Sequence, residues 1–86
     1  MKFGSSWCGP CKKLSQDIEK NPLSLDNVKY MEIDIENNDE MVEQYGIMSI
    51  PCTIILDNQN NEVSRKVGYP GLKEYINWIK NNINYE

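Results

Sequence analysis

The sequence contains no histidine, only three cysteines and a single phenylalanine among its 86 residues. The absence of histidine excludes a Ser-His-Asp triad and a Cys-His nucleophile. Three cysteines without histidine cannot complete a closed four-ligand zinc site within one chain. A secreted disulfide scaffold would carry a denser and even-numbered set of cysteines.

Long apolar runs and an excess of basic residues are also missing. No stretch approaches the ~20 apolar residues of a membrane helix, and the first residues, Met1 to Gly4, contain no signal-peptide core. Nine basic against 13 acidic residues give a net charge of -4, which repels phosphate backbones. We therefore expect a cytoplasmic monomer, a single domain over residues 1–86, with no nucleic-acid or membrane partner.

The apolar periodicity predicts an α/β domain with the element order βαβαββα. Strands are expected at Met1–Gly4, Val28–Ile35, Thr53–Leu56 and Glu62–Val67. Helices are expected over the stripe Cys11, Leu14 and Ile18, between Asn37 and Gly46, and along Leu72, Ile76, Ile79 and Ile83. The last two strands are separated by a tight polar turn, so they should form an antiparallel hairpin. Strands joined through helices should be parallel.

Two of the cysteines lie in the segment Trp7-Cys8-Gly9-Pro10-Cys11-Lys12, where the first strand turns into the first helix. Unpaired N–H groups and the helix dipole favour an anion at Cys8, which lowers its thiol pKa toward ~7 or below. Cys11 lies one turn later, on the buried side. We expect an exposed Cys8 to attack a substrate disulfide and Cys11 to resolve the mixed disulfide. Pro10 offers no N–H to the thiolate, which should make the protein more reducing.

The pentapeptide Trp7–Cys11 matches the active-site motif of the thioredoxin family, and the segments Glu32–Glu36, Tyr45–Pro51 and Val67-Gly68 also resemble that family. The resemblance implies a thioredoxin fold with a four-stranded mixed sheet flanked by three helices. It also implies that the extra N-terminal strand and helix are missing, which gives the length of a glutaredoxin. A cis peptide bond is implied at Ile50-Pro51.

The resemblance further implies a function. The chain would reduce protein disulfides as an electron carrier in cell redox homeostasis, with no cofactor or metal beyond its own disulfide. Thioredoxin reductase would recharge it. Trp7, Ile50, Pro51 and Gly68 would form the substrate-docking surface, and Gly9 and Pro10 would tune the redox centre.

The sequence is also compatible with other functions. A glutaredoxin-like protein would be recharged by glutathione, although the Gly-Gly pair that usually holds glutathione is absent from Gly68–Glu74. Both a thioredoxin and a glutaredoxin-like protein could act as an electron donor to ribonucleotide reductase. A different class is a metal or iron–sulfur module using Cys8, Cys11 and Cys52 with a fourth ligand from elsewhere. Alternatively, Cys52 is a buried strand residue or a regulatory thiol.

One position departs from the family pattern. Thioredoxins usually carry a buried aspartate six residues before the attacking cysteine, and here that position is Lys2. The lysine that many thioredoxins place on the neighbouring strand is replaced by Glu32. Parallel strands would put Lys2 beside Glu32 as an ion pair, unless Lys2 extends to solvent. Lys2 and Glu32 are therefore a predicted proton relay, with Glu32 as the proton acceptor for Cys11.

Overall fold

The computed structural model describes residues 1–21 and 30–83, and its seven elements follow the predicted order. The strands are β1 (Lys2–Gly4), β2 (Glu32–Asp34), β3 (Cys52–Leu56) and β4 (Glu62–Val67), and the helices are α1 (Gly9–Lys20), α2 (Asp39–Tyr45) and α3 (Leu72–Ile83). Strand β2 is shorter than predicted because it pairs only with the three residues of β1. Residues 28 and 29 of that predicted strand lie outside the described residues. None of the helices in the described ranges is long and apolar enough to cross a bilayer.

The four strands form one mixed sheet in the order β2-β1-β3-β4. β1 and β2 are parallel, whereas β3 runs antiparallel to both β1 and β4. The prediction that strands joined through helices are parallel is therefore confirmed for β1 and β2 and wrong for β2 and β3. Asp34 pairs with Gly4, and Cys52 pairs with Phe3. Because the segment containing α2 begins and ends at this one end of the sheet, β3 enters there and runs against β1.

Helix α2 covers one face of the sheet, and helices α1 and α3 cover the other. The α2 face buries Phe3, Ile33, Cys52 and Ile54, with Met41, Val42 and Tyr45 packed against them. The opposite face is built around Leu14, Ile18, Tyr75 and Ile79. Each fully buried large side chain stabilises the fold by about 1.5–3 kcal/mol. Since side chains alternate along a strand, Phe3 on the α2 face places Lys2 and Gly4 on the α1 face.

Local sequence signals determine where the helices begin and end. Cys8 is the N-cap of α1, and Pro10 occupies its first turn, where a missing N–H costs nothing. Helix α2 ends at Tyr45 and is followed by its C-cap Gly46, whose φ of 62° is the left-handed conformation that glycine adopts without steric cost. The predicted start of α2 is also observed, although Asn38 makes no side-chain cap and instead donates its Nδ2 to the carbonyl of Asp34.

Candidate active site

A disulfide joins Cys8 and Cys11 at the N-terminus of α1, with their Cα atoms 5.2 Å apart. The Sγ of Cys8 accepts a hydrogen bond from the backbone N–H of Cys11 at 3.2 Å. Helix N-termini have unpaired N–H groups, so this donor would favour a thiolate at Cys8 once the disulfide is reduced. Gly9 and Pro10 form the exposed turn between the two cysteines.

Both sulfur-bearing residues are buried in this oxidised state, with 7% of Cys8 and 2% of Cys11 exposed. The prediction of an exposed Cys8 is therefore wrong for the disulfide form. The physical reason is that the Cys8 sulfur is turned toward the helix by its bond to Cys11 and by the hydrogen bond from Cys11 N. The order of exposure agrees with the prediction, since Cys11 is the more sheltered of the two.

Two large apolar side chains, Trp7 and Met48, are exposed on the surface. Trp7 is 65% exposed and Met48 is 95% exposed. With Ile50 they line a shallow groove of about 200 Å³, which also contacts α2 through Val42. Sequence reasoning missed Met48. Its place in an apolar stretch just before the predicted cis proline was the available signal.

The Ile50-Pro51 peptide bond is cis, which confirms the expectation from the family resemblance. Gly68 lies beside it, since its N–H donates to the carbonyl of Pro51 at 2.7 Å. The φ of Gly68 is 90°, a conformation that favours glycine. The structure thus brings together Trp7 with Ile50, and Pro51 with Gly68.

Lys2 and Glu32 form the predicted pair. They are direct partners in the β1–β2 register, and Lys2 Nζ lies 3.7 Å from Glu32 Oε2. Lys2 is only 3% exposed, so the alternative in which it extends to solvent is wrong. Burial lowers the pKa of Lys2, while the charge and hydrogen-bonding capacity of Glu32 oppose that change.

Ser15 bridges Lys2 and Glu32, and sequence reasoning missed it. Lys2 Nζ donates to Ser15 Oγ at 2.5 Å and to the carbonyl of Cys11 at 3.3 Å. Ser15 Oγ in turn donates to Glu32 Oε2 at 2.9 Å. Tyr30 also donates to this oxygen, at 3.3 Å. Ser15 follows Cys11 by four residues and therefore lies on the same helix face, which was the available signal.

These residues line a second groove, of about 500 Å³, between α1 and the β1–β2 edge. We call it the polar groove; its walls include Lys2, Cys11, Ser15, Glu32 and Asp34. Gly4 also lines this groove, and a larger residue there would crowd it. A Cβ at this position would lie 3.0 Å from Cys11 Sγ and 3.6 Å from Lys2 Cε. In the described part of the chain, Glu32 makes no hydrogen bond to Cys11 and is linked to it through Lys2 and Ser15.

Comparison with known proteins is consistent with this geometry. The family described as Thioredoxin matches residues 1–81. A thioredoxin of Rickettsia bellii is 38% identical over 82 residues, covering 94% of this chain and 77% of its own length. A thioredoxin of Chlamydia trachomatis is 41% identical over 78 residues, covering 91% of this chain and 72% of its own length.

The chain belongs to the thioredoxin family. It is a thiol–disulfide oxidoreductase of protein-disulfide reductase type that works by dithiol exchange through Cys8 and Cys11. Two solved structures agree with the fold. The chain superposes on a thioredoxin of Fasciola hepatica with a TM-score of 0.81 at 22% identity, covering 94% of this chain and 76% of that one. For a thioredoxin of Trichomonas vaginalis the TM-score is 0.74 at 26% identity, covering 95% and 72%.

Cys52 is a buried residue of strand β3, which was one of the predicted alternatives. It is 1% exposed, forms no disulfide and packs in the core on the α2 face. Burial raises the pKa of its thiol, which disfavours the reactive thiolate. Within residues 1–21 and 30–83, no three cysteine or carboxylate side chains are grouped as metal ligands. This arrangement does not fit a cluster held by Cys8, Cys11 and Cys52.

Proposed function

We propose that this thioredoxin carries electrons to disulfides of other proteins, with Cys8 as the attacking cysteine and Cys11 as the resolving one. The Cys8 thiolate attacks one sulfur of the substrate disulfide and releases the other as a thiolate. Cys11 then attacks the Cys8 sulfur, releases the second substrate thiolate and leaves the Cys8–Cys11 disulfide. Two electrons pass to the substrate. The observation that carries this assignment is the hydrogen bond from Cys11 N to Cys8 Sγ at the helix start.

The substrate is proposed to dock against Trp7, Ile50, Pro51 and Gly68. The exposed indole of Trp7 and the groove that it shares with Ile50 support an apolar contact. An extended substrate segment would pair with the backbone at Ile50 as an added strand. Pro10, in the first helical turn, is proposed to keep the reduction potential low, because it offers no N–H to the Cys8 thiolate.

Lys2 and Glu32 are proposed to assist the second step. Cys11 must lose its proton before it attacks the mixed disulfide, and Glu32 is the acceptor that we assign to it. Cys11 and Glu32 both line the polar groove, which supports a path for this proton through the groove, and the hydrogen bond from Ser15 holds the Glu32 carboxylate there. Glu32 lies at the open end of that path, with its side chain 48% exposed, and can pass the proton to water.

The electron source is proposed to be a thioredoxin reductase in the cytoplasm, with the protein acting as a monomer without a cofactor. Ribonucleotide reductase is one disulfide substrate that such a carrier would serve in cell redox homeostasis. Membership in the thioredoxin family supports the choice of reductase.

Insulin reduction tests both the activity and the electron source. The protein is assayed once with NADPH and a thioredoxin reductase and once with NADPH, glutathione and glutathione reductase, with Cys8→Ser as the inactive control. We expect insulin precipitation only with thioredoxin reductase. Turnover driven by glutathione alone would refute the proposed electron source, and equal turnover by Cys8→Ser would refute the role of Cys8.

A further inference from the structure

We propose that the buried ammonium group of Lys2 stabilises the thiolate of Cys11. In this chain a cation would then govern the ionisation of the resolving cysteine from the position where relatives usually place a carboxylate. The resolving role of Cys11 rests on the proposed function, whereas the effect of the charge is a property of the reduced chain and needs no substrate.

Lys2 of β1 and Cys11 of α1 are neighbours where the strand packs against the helix. Lys2 Nζ donates to the carbonyl of Cys11 at 3.3 Å. The Cys11 Sγ and the Lys2 Cε lie 3.0 Å and 3.6 Å from one point, the position that a Cβ on Gly4 would occupy. Because residue 4 is glycine, no side chain separates the end of the lysine from the sulfur. An opposite charge close to a thiol favours the ionised form of that thiol.

The other charged groups around Cys11 are exposed to water to a much greater degree. The polar groove contains Lys12 on α1 and Glu32 and Asp34 on β2. Lys12 and Glu32 are exposed, and Asp34 is half-buried, with its carboxylate accepting from Glu36 N and Asn37 Nδ2 at 3.0 Å. On the β3 side, Lys2 is paired with Thr53, which is uncharged.

Lys2 is the buried member of this set, at 3% exposure. Solvent and salt screen exposed charges much more strongly than buried ones. Lys2 should therefore dominate the electrostatic potential at Cys11, although Glu32 reduces its effect through the ion pair at 3.7 Å. A thiol that ionises more readily also passes its proton more easily to a carboxylate such as Glu32, so the two assignments are compatible.

The test is a titration of Cys11 in the reduced protein. A Cys8→Ser background removes the coupled thiol, and the ¹³Cβ chemical shift of Cys11 is followed by NMR as a function of pH. Lys2→Met and Lys2→Gln remove the charge, and Lys2→Arg keeps it. Glu32→Gln is the matched control, because it breaks the same ion pair and removes the opposite charge. The ¹³Cβ signal of the buried Cys52 reports whether each variant keeps the native core.

The charge effect predicts opposite results for the two members of the pair. Lys2→Met and Lys2→Gln should raise the titration midpoint of Cys11 by about one pH unit or more. Lys2→Arg should leave it near the starting value, and Glu32→Gln should leave it unchanged or lower it. An unchanged or lowered midpoint in folded Lys2→Gln would overturn the proposal. So would a rise in both Lys2→Gln and Glu32→Gln, because that would indicate a general disturbance of the site.

Discussion

Adding one methyl group at Gly4 tests how closely β1 packs against the resolving cysteine. A Cβ at this position would lie 3.0 Å from Cys11 Sγ and 3.2 Å from Cys11 Cβ, inside the ~3.5–4.0 Å of ordinary carbon contacts. Cys11 cannot easily move away, because it is buried on α1 and bonded to Cys8. We therefore expect Gly4→Ala to destabilise the oxidised protein by about 1–3 kcal/mol, the usual cost of overpacking a core.

Denaturant unfolding of the oxidised protein, followed by far-UV circular dichroism, measures this loss. Thermal unfolding should agree, with Tm falling by about 4–8 °C for each kcal/mol in a domain of this size. Gly9→Ala is the matched control, since nothing lies within 4 Å of a Cβ there, and alanine should be neutral or stabilise the helix by up to ~1 kcal/mol. Equal stability of Gly4→Ala and wild type would refute the close contact between β1 and Cys11.

Three further changes have defined outcomes. Pro10→His adds a donor near the Cys8 thiolate and should make the reduction potential in a glutathione titration less negative by tens of millivolts, where ~30 mV corresponds to 1.4 kcal/mol; an unchanged or more negative value contradicts this. Glu32→Gln should slow resolution of the mixed disulfide in stopped-flow fluorescence and spare the first attack, with the exposed Glu40→Gln as control; an unchanged resolution rate removes Glu32 from the mechanism. The hydrogen bond from the Tyr69 hydroxyl lowers the pKa of Asp17, so the stability contributed by this carboxylate is full above ~pH 4 and is lost as pH falls through the lowered pKa. Tyr69→Phe should reduce the difference between the free energies of unfolding measured in urea at pH 7 and at pH 3. A difference as large as that of the wild type would contradict the assignment.

Most of the fold could be predicted because its signals are local. The stripe of Cys11, Leu14 and Ile18 marks the buried face of α1, and Gly46 marks the end of α2. The Lys2–Glu32 pair could be predicted as well, because the family pattern, aligned from Cys8 and from Pro51, puts these two positions on neighbouring parallel strands. The direction of β3 could not, because it depends on which end of the sheet the chain re-enters.

The parts of the site that were missed depend on contacts between elements. Ser15 becomes part of the Lys2–Glu32 pair only when the Cys11 face of α1 meets the β1–β2 edge. The burial of Cys8 depends on its bond to Cys11, which the spacing permits but does not require. Residue spacing along one helix or strand therefore identified the reacting cysteines, whereas the groups that surround them required the packed structure.

Trapping the covalent intermediate tests the exchange mechanism most directly. The reduced Cys11→Ser and Cys8→Ser variants are each incubated with insulin, quenched with acid and analysed by mass spectrometry with peptide mapping. Because only one motif cysteine remains in each variant, the adduct is located without ambiguity. We predict that Cys11→Ser accumulates a mixed disulfide on Cys8, since the attacking thiolate is present and the resolving one is not. An adduct on Cys11 of Cys8→Ser, with none on Cys8 of Cys11→Ser, would contradict the account.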